Sequence, residues 1–155
     1  MDGGDFALRS TKVFEVGPTY IEPGNGLGAF VIEAPILLNE QLGLLVDTEW
    51  HSGDITGSGN IIVGSGTRGL SITFRIEGPK KLGGEINLIV RENVVQNGDF
   101  ELGGGTVTVS EGTYRLGGDL RRRPENPDTD KDVLTLRGIR IITNQYDCVD
   151  QFKLK

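Results

Sequence analysis

Leu70, Ile72, Phe74 and Ile76 alternate with Ser71, Thr73, Arg75 and Glu77, a period of two that puts one set on one face of an extended strand and that a helix could not match. Leu42, Leu44, Val46, Thr48 and Trp50 share one phase, against Leu45, Asp47, Glu49 and His51 in the other, and Tyr114, Leu116, Gly118 and Leu120 oppose Arg115, Asp119 and Arg121 in the same way. Segments 85–95 and 99–110 flank Asn97-Gly98, two residues that tolerate positive φ, so a hairpin is expected there. Glu111-Gly112 marks another turn, and residues 85–121 read as a three-strand meander. Within 133–143 the apolar phase changes at Gly138, where a bulge would restore register. Segments 6–9, 12–16 and 28–33 are further strand candidates, separated by Pro18, Pro23 and Gly24-Asn25-Gly26. Only residues 35–41, opened by Pro35, suggest a helical turn.

Eight to ten short strands with almost no helix predict an all-β protein. Closed antiparallel barrels and two-sheet sandwiches both hide apolar strand faces. The 24 glycines among 155 residues favour the more curved solution. The expectation is therefore a single-domain antiparallel β-barrel over residues 1–155, with a two-sheet β-sandwich as the alternative. Residues 122–132, with Pro124, Pro127 and charges of both signs, are expected to form a long polar loop.

The formal net charge of −6 argues against nucleic acid as the partner, because phosphate binding needs clustered Lys and Arg. A lone cysteine, Cys148, cannot form an internal disulfide, the first ten residues lack the basic and then apolar character of a signal peptide, and no apolar run approaches a membrane span. The expected address is cytoplasmic, with no membrane partner. Gly64-Ser65-Gly66-Thr67-Arg68-Gly69 has the glycine spacing of a dinucleotide-binding turn, but the period-two run from Leu70 follows it where a helix N-terminus is required, so a turn is the favoured reading. Asp128, Asp130 and Asp132 lack the Gly and Glu of a helix-loop-helix calcium loop and are read as an acidic turn balancing Arg121, Arg122 and Arg123. No metal site and no cofactor are expected.

Asp47, Glu49 and His51 are the one cluster suited to acid-base chemistry. With Leu42 to Trp50 on the apolar side, the cluster is read as the wet side of its strand. Glu49 becomes a catalytic candidate only if that strand faces the other way. A Cys148–His51 pair has no supporting local pattern, and a small inert thiol is preferred. Trp50, Tyr114, Phe74 and Phe100 lie in the apolar phases. In a filled interior they are core, and in a hollow barrel Trp50, Tyr114 and Phe74 would line a pocket with Thr48 as a sparse polar anchor.

The glycine turns at 57–59 and 64–66, the strand at Phe74-Arg75-Ile76, Asn97-Gly98 and Gly112-Thr113-Tyr114 resemble, in rhythm over roughly residues 42–121, the small barrels of the allene oxide cyclase and dirigent kind. Lipocalin-like barrels fit about as well. The resemblance implies a barrel that binds an apolar or amphipathic small molecule, and a cofactor-free cyclase or isomerase activity of the sort found in natural-product pathways. The alternative is a structural or interaction protein forming a homo-oligomeric assembly, motivated by the lack of a persuasive catalytic constellation and by strand candidates at 6–9 and 151–154 that could pair between subunits.

Overall fold

The computed structural model describes residues 6–22, 28–65, 72–122, 134–136 and 140–143, and in them the chain winds as a parallel β-solenoid. The first coil comprises β1 (Phe6–Arg9), β2 (Phe14–Val16) and β3 (Thr19–Ile21). The second comprises β4 (Phe30–Glu33) and β5 (Ile36–Leu44), and the third β6 (Thr48–Ser52) and β7 (Ile55–Val63). The fourth holds β8 (Thr73–Glu77), β9 (Lys80–Leu82) and β10 (Glu85–Val90), and the fifth β11 (Asn93–Asn97), β12 (Phe100–Leu102) and β13 (Val107–Val109). The winding continues through β14 (Thr113–Leu116), β15 (Leu120–Arg122), β16 (Leu134–Leu136) and β17 (Arg140–Thr143).

Each strand pairs with its counterpart in the neighbouring coil rather than with the next strand along the chain. One face is a seven-stranded sheet in the order β1-β4-β6-β8-β11-β14-β17. The other sheet folds around an edge, because the nine-residue strands β5 and β7 each run across two faces. The first half of β5 pairs with β2 and its second half with β3, while β7 meets β9 at Ile55 and β10 from Ser58 to Val63. Glu40, at φ 68°, and its register partner Gly59, at φ 126°, lie at this bend.

Stacking in register turns period-two alternation into columns. Phe30, Thr48, Phe74, Val94 and Tyr114 form one inner column, and Leu42, Ile61, Leu88 and Val107 form another. All nine are buried, so the core is a continuous rod running the length of the coils. At the corners, side chains cap the backbone of the adjacent coil: the amides of Thr73, Thr106 and Asp119 donate to Asp47 Oδ1, Asn87 Oδ1 and Asp99 Oδ1.

This architecture replaces both the antiparallel barrel and the β-sandwich. The alternation identified strands and their buried faces, but it is the same whichever way a neighbouring strand runs. The expected hairpin at Asn97-Gly98 is a corner: β11 lies in the first sheet between β8 and β14, and β12 lies in the second between β9 and β15. Gly98 has φ 110°, and a Cβ there would lie 2.9 Å from the carbonyl carbon of Gly78 in the adjacent coil. Backbone passes backbone too closely at this corner for a side chain. The meander over 85–121 is absent for the same reason, and residues 36–44 are strand rather than a helical turn. The resemblance to cyclase, dirigent or lipocalin barrels fails with the barrel. Expectations for 123–132, Gly138, Cys148 and 151–154, and for residues 66–69 of the glycine-rich motif, lie outside the described residues.

Candidate functional site

Trp50, Tyr114, Phe74 and Thr48 all point into the solenoid, where each is at most 1% exposed. Trp50 stacks nearly parallel to Phe74, with ring centroids 6.4 Å apart, and meets Phe100 edge-on at 6.1 Å. Its indole Nε1 donates to the carbonyl of Gly53 at 2.7 Å, and the Thr48 hydroxyl donates to the Val46 carbonyl. The Tyr114 hydroxyl donates to Gln96 Oε1 at 2.6 Å, and Gln96 Nε2 donates to the carbonyls of Gly98 and Asp119. Burial pushes the Tyr114 phenol well above its ordinary range. Among the described residues no buried side-chain nitrogen or oxygen lacks a partner. These polar groups are committed to one another and to the backbone, and the expected barrel chamber has no counterpart in the fold.

The ionisable cluster lies outside, on the seven-stranded sheet. Phe30 to Glu33 alternate so that Ile32 is buried and Glu33 faces outward, and the same alternation in β6 turns Glu49 and His51 out while Thr48 and Trp50 turn in. His51 Nε2 lies 2.8 Å from Glu49 Oε1 and Nδ1 lies 3.2 Å from Glu33 Oε2. The other oxygen of Glu33 accepts from Arg9 Nε on β1 at 2.5 Å. A ring with a carboxylate at each nitrogen is held as the doubly protonated imidazolium. Burial works against that charge, but the hydrogen bonds of Glu49 and Glu33 prevail and raise the His51 pKa. Arg9 first, and His51 second, hold the Glu33 carboxyl below its usual range.

The chain Arg9–Glu33–His51–Glu49 thus crosses three coils as an electrostatic staple. Glu49 is beside His51 as the sequence grouping placed it, while Asp47 is not: its carboxylate accepts from the Thr73 amide instead. Arg9 and Glu33 were not singled out from the sequence. They stand 24 residues apart, and Glu33 and His51 18 apart, separations of about one coil that carry no meaning until the coil length is known. Among the described residues no group of three or more His, Cys, Asp or Glu is placed to hold a metal ion. Here both ring nitrogens are already consumed by carboxylates on separate sides. The staple can tie coils together and respond to pH. No protein-family model, no curated protein and no solved structure matches this chain.

Proposed function

We propose that this chain is a structural or interaction protein that assembles into a homo-oligomer and works through its outer surface. The observation that carries this reading is the filled interior. Every aromatic and hydroxyl group that could have lined a barrel pocket is packed or hydrogen-bonded inside the rod. A solenoid so filled presents its partners with two things, flat sheet faces and the ends of its coils. Sheet faces and strand edges are surfaces that proteins use to bind other chains.

Native mass spectrometry of the purified chain, combined with sedimentation at several concentrations, tests the reading. The expected result is a bare chain in a defined oligomer whose population rises with concentration. A monomer at every concentration, or a retained molecule of drug-like mass, would contradict it.

A further inference from the structure

Phe14 occupies an inner column yet is not buried. Register places it with Ile36, which aligns with Ile55, then Leu82, then Leu102. These four are at most 1% exposed, whereas Phe14 is 37% exposed. The same break occurs on the other faces. Leu8 aligns with Ile32 and Trp50, and Ile21 with Leu44 and Val63. The partners are fully buried, but Leu8, Ile21 and also Val16 are only partly covered. Among the described residues the exposed large hydrophobics are Val13 at 61%, Phe14 and Tyr20 at 52%, all on this one coil. The rod of core therefore ends in an open apolar cross-section at the first coil.

That coil is nonetheless held in place. Arg9 is paired with Glu33, and Gln41 Nε2 donates to the Tyr20 hydroxyl at 2.7 Å, which ties β1 and β3 to the second coil. Among the described residues β1 pairs only with β4, and β2 and β3 only with β5, so each presents one unpaired edge. We propose that this open end docks against the same end of a second copy of the chain, related by a two-fold axis.

Two properties select a second copy as the occupant. What completes this core must offer a three-sided ring of inward apolar side chains with strand edges around it, and the first coil of another molecule is such a ring. A two-fold perpendicular to the rod sets the facing edges antiparallel, a pairing that strand edges accept readily. The second property is charge. The chain carries −6, but the described residues of the first coil carry Arg9 and Lys12 against Glu15 and Glu22. Over these described residues the charges balance, so two acidic molecules bring no net like charge from them to the contact, and a strongly acidic or basic partner would find no complement among them.

The inference rests on the self-assembly reading above and names its surface. Val13 precedes β2 and is largely exposed, so Val13→Lys leaves the fold intact, while Phe14→Lys charges the centre of the open end. Sedimentation equilibrium of wild type should saturate at two chains. Each variant should weaken association by at least about tenfold, with unchanged circular dichroism, while Arg115→Glu on a distant coil should not weaken it. A wild-type assembly that Val13→Lys and Phe14→Lys both leave intact, or one that grows past two chains, would overturn the docking surface but not self-assembly. A wild-type monomer would overturn both.

Discussion

His51 is pinned between Glu49 and Glu33, and its protonation is part of the staple that joins the first three coils. Its folded-state pKa is raised above the ordinary 6.5, so the stability it contributes is fully present below that value and is lost as pH rises through the folded pKa. Glu33 acts in the opposite sense, since its lowered pKa gives a contribution present above 4.5 and lost as pH falls through the folded value. The advantage of wild type over His51→Gln in urea unfolding should therefore shrink as pH rises above about 6.5. An advantage that grows with pH would show that the ring is not held as imidazolium. Inside the rod, Tyr114→Phe removes the hydroxyl that donates to Gln96 Oε1 and should cost about 1–3 kcal/mol, the price of a buried acceptor left unpaired. An unchanged urea midpoint would mean that the pair is not formed. The outward facing of Glu49 and His51 was legible from alternation alone. Their partner Glu33 was not, because it lies a full coil away in sequence.

At the scale of elements, the strands were largely legible and their pairing was not. The run Leu70 to Glu77 reads as strand because Leu70, Ile72, Phe74 and Ile76 alternate with polar neighbours, and Thr73–Glu77 is strand β8, yet nothing in that alternation distinguishes a hairpin from a stack. The missing signal was recurrence. Gly53-Asp54-Ile55, Gly98-Asp99-Phe100 and Gly118-Asp119-Leu120 each carry the chain around the corner into the second sheet, and Leu82-Gly83-Gly84 returns as Leu102-Gly103-Gly104. Internal periods of this length mark stacked repeats. Read singly, each glycine is a turn; read as a series, they are one corner of one coil. Gly98→Val should accordingly lower stability by about 1–3 kcal/mol or more, because it needs both positive φ and space occupied by Gly78 backbone. Gly104→Ala should change the urea midpoint little, since the atom nearest to its added Cβ is the flexible Glu85 Cγ at 3.1 Å. Equal effects at the two positions would contradict the stacked corner.

At the scale of the molecule, one-dimensional stacking separates what each part can do. Interior residues meet only their own coil and its neighbours, so the core extends coil by coil and is complete wherever a coil is covered on both sides. The first coil is covered on one side among the described residues, which is why the same kind of side chain is buried at Ile36 and exposed at Phe14. The proposed assembly through that end and the filled interior would thus be two consequences of the same winding, and both depend on strands that run parallel from coil to coil.

Backbone NOE spectroscopy of isotope-labelled protein tests that winding most directly. The parallel solenoid predicts cross-peaks that connect Val94 with Phe74 on one side and with Tyr114 on the other, in register along β8, β11 and β14. Cross-strand Hα–Hα contacts between residues 93–97 and 100–102, the pattern of a hairpin at Asn97-Gly98, would contradict it.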